Sequence, residues 1–384
     1  MKYLLINYAF KRFSDQSIAW ISSYLRNRKQ VVQVESKLSE PVELDDYGVP
    51  QGSILGPLIF ILFSNDFPAN SNNCVSVLYA DDDTVNVSAS NPVDLQLKLQ
   101  VAADSSTQWI ADNKMVCSGE KTKLLLMGTS QLKRHRIHGQ NISVTVCGKI
   151  VEASRSERLL GLTVNNQMTW SEYLYGECWR ETENEKGLIA QLSQRVGLLK
   201  KVAPLMPLSR FKIVCQGLFY SKLAYCLQVI GNVWGLSNTD LVNRRYPAFT
   251  KSDNNKLQTL QNQVLRLKTG LPPLTPTVEL LDKSGDLSVQ QLTAFFTLST
   301  CQKVLHTGKP KPLRDKLSVG TVSTRQENTI RIDANLTLSR GAFFYRAGML
   351  FNKLPQELRL NMDPGTFKVR VKNWIKMNIE AKPR

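Results

Sequence analysis

Apolar and polar positions divide the chain into a mixed first part and a helical later part. Ile18, Ile21 and Leu25 recur at helical spacing within residues 15–29, with Ser14 placed to cap them. Val31, Val32 and Val34 predict a strand, and a polar loop through Pro41 leads on to Gly48. Pro50, Gln51 and Gly52 predict a turn, after which the apolar run from Ile54 reads as a helix ending near Asn65 and Asp66. Residues 74–80 and 84–88 are β-branched, partly alternating runs separated only by Asp81, Asp82 and Asp83. That arrangement predicts a hairpin with carboxylates at its turn. Asn91-Pro92 opens a helix that carries Val93, Leu95, Leu97 and Leu99 and runs to Trp109, and residues 122–127, 143–146 and 159–164 predict strands. Beyond Trp170 the pattern is helical and basic over 188–201, 210–229 and 254–267, the last with Leu257, Leu260, Val264 and Leu267 on one face. LPPLTP at 271–276 breaks this series, and residues 367–379 form a final amphipathic stretch. No internal repeat or low-complexity tract is present.

Composition adds little until charge is counted. A chain of 384 residues has room for two or three domains, and 42% hydrophobic with 21% charged residues excludes collagen-like, fibrous and wholly disordered classes. The 49 Lys and Arg outnumber 32 Asp and Glu, a formal charge of +17. Residues 1–130 hold 11 basic and 14 acidic side chains, whereas residues 131–384 hold 38 and 18. This asymmetry suits a carboxylate-bearing site joined to a surface that grips a polyanion, and a solvated basic surface without a partner is the plainer alternative.

Seven cysteines without a C-x-x-C pair argue against a disulfide framework and a zinc site. His135 and His138, in KRHRIHG, read as surface residues. The opening MKYLLINYAFKRF imitates a signal peptide, but Asn7 and Lys11-Arg12 break its apolar run and no small-residue cleavage site follows. The apolar stretch 54–63 contains Gly56 and Pro57 and falls far short of a ~20-residue span. The expectation is an intracellular chain in a reducing compartment, nucleus or cytoplasm left open, with no membrane partner.

The acidic hairpin carries the most chemistry. Phosphoryl transfer with two Mg²⁺ ions needs carboxylates that hold both, and magnesium takes hard oxygen ligands with few protein groups. Neighbouring strand residues point to opposite faces, so Asp81 and Asp82 are not expected to touch both ions equally. A solvent-facing Asp-rich turn is the alternative.

The run Gly48-Val49-Pro50-Gln51-Gly52-Ser53-Ile54-Leu55-Gly56-Pro57, followed about thirty residues later by Tyr79-Ala80-Asp81-Asp82, resembles the reverse transcriptases of non-LTR retrotransposons. The resemblance implies that Asp81 and Asp82 are catalytic, metal-binding carboxylates. It implies further that Tyr79 packs near the primer end and that Pro50, Gln51 and Gly52 lie beside template and nucleotide. WISSYLRNRKQVV resembles the family's segment before that loop. The pattern Trp109, Asn113, Lys121-Thr122-Lys123 resembles its next motif, with Lys121 near the nucleotide phosphates, or else simply a surface lysine; Cys117 and Ser118 stand where the family often has Asn. Leu159-Leu160-Gly161-Leu162, followed by Met168-Thr169-Trp170, resembles the primer-grip hairpin and the entry to the thumb.

The fold implied is α+β. A partial right-hand polymerase palm, an antiparallel sheet with helices, covers residues 1–170; a helical basic thumb follows over 171–270 and a C-terminal extension over 271–384. Arg195, Lys200, Lys201, Arg210 and Lys212 are the candidates for contacts to the nucleic-acid backbone, with a solvated helical face as the alternative for each. The implied partners are an RNA template, a DNA primer, their duplex and dNTP. The family's first catalytic aspartate sits in a box resembling F-x-x-A-F-D-x-V-x-H, roughly 55 residues before the loop glycine, and counting back from Gly48 lands before Met1. Asp15, Asp45, Asp46 and Asp66 lack its setting. The expectation is therefore an RNA-directed DNA polymerase segment, truncated and inactive alone, for which a complementing N-terminal half would be a partner. A non-catalytic nucleic-acid-binding remnant and an unstable relic are the other readings.

Overall fold

The computed structural model describes residues 13–44, 48–67, 74–128, 141–176, 186–234, 248–317, 319–320, 329–330, 343–359 and 362–381. Helices and short strands are mixed, an α+β chain, and it divides into two compact units, residues 1–154 and 155–384.

In the first unit, helix α1 (Asp15–Leu25) begins where expected, with the Ser14 side chain accepting from the Ser17 N–H at 3.3 Å. The chain then folds as one hairpin rather than a strand and a loop. Strand β1 (Lys29–Gln30) pairs with β4 (Val42–Glu43), and inside it β2 (Gln33–Val34) pairs with β3 (Lys37–Leu38). Ser39 fills the gap between these ladders: its N–H donates to the Val32 carbonyl at 2.9 Å and its hydroxyl accepts from the Val32 N–H at 3.0 Å. Helix α2 (Leu55–Phe63) places Ile59 against Ile21 and Leu25 of α1, the small core of this region.

Helix α3 (Pro92–Asp112) starts at the expected Asn91 cap, whose side chain accepts from the Asp94 N–H. Its Trp109 meets Phe63 at 5.6 Å and Phe67 at 4.8 Å between ring centres, which ties α3 to the end of α2. Strands β5 (Cys74–Tyr79) and β6 (Asp82–Val87) form a separate antiparallel pair. The strand expected over 122–127 is only β7 (Leu124–Leu125), and it runs parallel to β9 (Lys149–Ser154), which also pairs with β8 (Ser143–Val146). The expected antiparallel sheet is, among the described residues, a set of small ladders, all antiparallel except the β7–β9 pair. Leu124, Val144, Val146 and Val151 are the buried centre of the three-stranded sheet.

The cysteine expectation is corrected here. Cys117, in the loop after α3, is disulfide-bonded to Cys147, in the β8–β9 turn, with 6.5 Å between their Cα atoms. A separation of 30 residues gives no local signature, and only the packing of that loop on the turn brings the two together.

The second unit opens with the hairpin β10 (Ser156–Leu159) and β11 (Leu162–Asn165), where the apolar pattern read as a strand over 159–164 and the family resemblance implied a hairpin. Positive φ at Leu160 (46°) and Gly161 (81°) makes the two-residue loop that suits the twist of paired strands. Helices α4 (Ser171–Tyr175), α5 (Leu188–Val202) and α6 (Leu208–Cys215) follow. The helix expected over 210–229 is broken. A π-helical segment, Gln216–Tyr220, precedes α7 (Ser221–Ala224), and α8 (Leu227–Ile230) starts only after Cys226, which has φ 58°. By length and composition Leu208–Ile230 could cross a membrane. In this fold its Phe211, Cys215, Phe219, Leu223, Leu227 and Ile230 form the core with Leu192, Leu199 and Leu257.

Helix α9 (Lys251–Thr269) is entered through a Thr250–Asp253 capping box and buries polar side chains as well as the expected leucines. Gln258 accepts from the Val289 N–H at 2.9 Å, Gln261 donates to the Leu287 carbonyl at 2.8 Å, and Asn262 donates to the Thr277 hydroxyl at 2.9 Å. These bonds attach α10 (Thr277–Ser284) and α11 (Val289–Thr307) to it. A second core gathers Leu298 and Cys301 of α11, Leu350 of α13 (Phe343–Lys353) and Phe367, Val371 and Ile375 of α15 (Pro364–Asn378), with α12 (Lys311–Lys316) and α14 (Gln356–Arg359) in the connections. Short strands β12 (Val319–Gly320) and β13 (Thr329–Ile330) pair beside α13. Leu292 packs on both cores.

Candidate active site

The glycine-rich loop is built from the backbone outward. Gly48 and Gly52 hold φ of 74° and 81°, the left-handed region that favours glycine. The Pro50 carbonyl accepts from the Ser53 hydroxyl at 2.7 Å, and that hydroxyl accepts from the Gly56 N–H at 3.0 Å, so Ser53 caps the start of α2. A Cβ on Gly56 would sit 2.9 Å from the Ser53 oxygen and 3.0 Å from the Pro50 carbonyl oxygen, so a larger residue there would force the loop off the helix. Arg28 closes the other side, donating to the Leu25 carbonyl at 3.1 Å and the Gly48 carbonyl at 3.0 Å. Pro50 is half-buried, and Gln51 and Gly52 are exposed on this rigid base. Arg28 was missed by sequence reasoning, although it lies within WISSYLRNRKQVV.

The acidic hairpin differs from expectation by its turn. Tyr79 pairs with Asp82, so the loop is Ala80-Asp81, and Asp82 and Asp83 already belong to β6. Ala80 takes φ 55°, a conformation an L-residue with a Cβ adopts at a cost. Asp81 therefore stands on the loop and Asp82 at the strand end. Both are exposed, and no side-chain hydrogen bond or ion pair engages either carboxylate among the described residues. Tyr79 is 66% exposed beside them. Asp83 alternates to the other face, where desolvation raises its carboxyl above 3.8 against the opposing pull of Ser76 and the Thr84 backbone. No hydrogen bond joins residues 48–53 to residues 79–83.

Asp81 and Asp82 are hard oxygen donors with free lone pairs, the chemistry a divalent metal takes. Among the described residues, no three His, Cys, Asp or Glu side chains converge on one point. Asp15 is the first residue of α1, Asp66 ends an exposed turn after α2, and Asp45, Asp46, His135 and His138 lie outside the described residues.

Lys121 is exposed on the loop leading into β7, its N–H donating to the Ser118 carbonyl at 3.1 Å. The loop is pinned by the Cys117–Cys147 disulfide, by the Glu120–Lys149 ion pair and by Gly119, where a Cβ would meet the Val146 carbonyl at 2.8 Å.

In the second unit, the tip of the β10–β11 hairpin is held by Tyr225, whose hydroxyl donates to the Leu160 carbonyl at 2.5 Å while its ring lies 3.6 Å from a Cβ built on Gly161. Below the hairpin is a polar cavity of about 30 Å³ lined by Arg158, Thr163, Glu172, Tyr173, Lys186 and Lys222 among others. The Tyr173 hydroxyl is buried there without a hydrogen-bond partner among the described residues. Burial pushes this phenol up to about 12, with Cys226 and Tyr225 adding to the rise and Arg158 opposing it. Nothing in the one-dimensional pattern marked Tyr173 or Lys222. Of the basic residues singled out from sequence, Lys200, Lys201, Arg210 and Lys212 are exposed. Arg195 is not free for a ligand in the same way, since its guanidinium donates to the Leu218 carbonyl of the π-helical segment at 2.5 Å.

Residues 4–164 match the family described as reverse transcriptase (RNA-dependent DNA polymerase). The chain is 23% identical over 298 residues to the RNA-directed DNA polymerase from mobile element jockey of Drosophila melanogaster, covering 75% of this chain and 28% of the relative. It is 23% identical over 284 residues to the probable RNA-directed DNA polymerase from transposon BS of the same fly, covering 70% and 27%. The corresponding protein of transposon X-element is 22% identical over 254 residues, covering 65% and 24%. The chain spans about a quarter of the length of the curated relatives it matches. No solved structure matches it.

Proposed function

We propose that the chain carries a reverse transcriptase domain of a non-LTR element and is the segment of an RNA-directed DNA polymerase that presents template, primer end and metal-binding carboxylates to one another. The observation that carries this reading is the Ala80-Asp81 turn, which leaves Asp81 and Asp82 exposed and unpartnered next to Tyr79. In this reading the first unit is part of a palm, the helices from α4 to α9 serve as a thumb, and residues 271–384 are an extension. Asp81 is the main carboxylate for two Mg²⁺ ions and Asp82 its weaker neighbour. Metal ions bound by Asp81 and Asp82 would supply the positive charge that phosphoryl transfer needs. Gln51 and Gly52 line template and nucleotide on their rigid loop, the Tyr79 ring supports the primer end, and Lys121 faces the dNTP phosphates. Lys200, Lys201, Arg210 and Lys212 contact backbone phosphates without reading sequence. Arg195 positions the π-helical segment instead.

A second reading, nucleic-acid binding without catalysis, rests on the exposed Lys200, Lys201, Arg210 and Lys212. The two readings combine in one expectation. Alone, the chain binds an RNA–DNA template–primer with steep salt dependence and does not extend it. Extension in Mg²⁺ begins when a complementing N-terminal segment supplies a further aspartate. Asp81→Ala then lowers the rate by about 10²–10³-fold, the scale for one group stabilising charge at a reaction centre, and leaves binding intact. Extension that survives Asp81→Ala rejects the assignment of the site, and failure to bind at low salt rejects the function.

A further inference from the structure

Helix α15 (Pro364–Asn378) carries Lys368, Arg370, Lys372 and Lys376 and no acidic residue. Its apolar stripe is spent within the protein: Phe367, Val371 and Ile375 are fully buried in the second core. The helix is fixed antiparallel to α11 at both ends, because Gln302 donates to the Met362 carbonyl at 2.7 Å and Gln291 donates to the Ile379 carbonyl at 2.8 Å. Asp363 caps its first turn by accepting from the Thr366 N–H at 2.9 Å, so that carboxylate is committed. What faces outward is a rigid cationic rail. Lys368, Lys372 and Lys376 are exposed, and among the described residues no ion pair engages Lys368, Arg370 or Lys372. Lys376 also donates to the Gly285 carbonyl at 3.2 Å. At the same end as Lys368, exposed Lys303, Lys309 and Lys311 come from the end of α11 and the turn into α12, more than fifty residues earlier in the chain.

We propose that the outer face of α15 is a second nucleic-acid contact, gripping the phosphate backbone of a strand outside the polymerase site. Charge complementarity identifies the occupant. Residues four apart on a helix rise by about 6 Å, close to two phosphate steps of ~3.4 Å along a strand, so a row of lysines that turns by about 40° per step can follow a winding backbone. A membrane surface fits less well, because the apolar side chains this helix leaves exposed, Val369 and Met377, stand eight residues apart and form no continuous stripe to insert. The contact reads no sequence and does not depend on Asp81.

The test is fluorescence anisotropy of the full chain with a labelled 20-nucleotide RNA across a salt series, comparing wild type with Lys368→Gln/Lys372→Gln. Both positions are exposed, and an unchanged urea midpoint verifies the fold. Loss of two phosphate contacts lowers the slope of log Kobs against log salt by about 1.4 for a single strand. Lys283→Gln, an exposed cation on α10, leaves the slope unchanged. A slope equal to wild type in the double variant overturns the proposal. So does a double variant that loses binding to phosphatidylserine vesicles while keeping its RNA slope.

Discussion

Arg346 tests whether helix α13 is structurally part of the body that supports the β10–β11 hairpin. It lies in α13, and its Nη2 donates to the carbonyl oxygens of Gln228 at 2.9 Å and Val229 at 2.8 Å, in α8. Helix α8 begins two residues after Tyr225, the side chain that holds the hairpin tip. Arg346 is 3% exposed, and burial lowers its pKa from 12.5 to about 10. At ~1.36 kcal/mol per unit, keeping the charge there costs about 3 kcal/mol. Against this stand two carbonyls in a part-buried setting that would lose this donor, at up to ~1–3 kcal/mol each. The balance favours the native arginine narrowly. Arg346→Met relieves the charge but strands the carbonyls, for a net loss of about 1 kcal/mol. Arg346→Ala adds an unfilled cavity and loses about 3 kcal/mol or more. Urea unfolding orders the three proteins, and hydrogen exchange of the α8 and α13 amides locates the loss. If Arg346→Met matches or exceeds wild type while α8 keeps its protection, the carbonyls do not depend on the guanidinium and this coupling is wrong.

Two glycines predict opposite signs. A Cβ at Gly187 would fall 2.4 Å from the Gly176 nitrogen and the Leu174 carbonyl oxygen, so Gly187→Ala costs about 3 kcal/mol or more, whereas Gly197, exposed within α5 with nothing near, gains about 0.5–1 kcal/mol as alanine. Urea midpoints in the reverse order would contradict the packing of Gly187 on residues 174–176. Asp83 predicts a pH dependence. Its carboxyl is raised above 3.8 by desolvation, so the folded state binds the proton more tightly and stability falls as pH rises through that raised value. Asp83→Asn removes the slope, and the variant gains on wild type as pH increases from about 4 towards 7. A difference between the two proteins that does not change with pH would refute the desolvation.

How much of this was readable beforehand follows from which physical signal each feature carries. Helices α1, α9 and α15 were readable because each buries a stripe at helical spacing, so period and packing agree. In α3 the helix was readable but its face was not, since Val93, Leu97 and Val101 are 64%, 62% and 60% exposed while Trp109 makes the contact. The acidic turn was misplaced because three aspartates look like a loop, yet pairing of Tyr79 with Asp82 leaves only two residues to close it. The break before α8 has no glycine or proline to announce it; Cys226 simply takes a left-handed backbone, and Tyr225 is thereby aimed at the hairpin. Motif residues were readable as a set, but the side chains that hold them, Arg28 and Tyr225, belong to other segments and needed the fold. The basic residues make the same point most sharply. Arg195 and Lys200 are near neighbours on α5 with the same sign of charge, and both read as phosphate contacts. The carbonyl of Leu218 within 2.5 Å turns Arg195 into an internal brace, while Lys200 stays exposed. Net charge reports that a polyanion could bind, and only the placement of unpaired acceptors decides which cations remain to bind it.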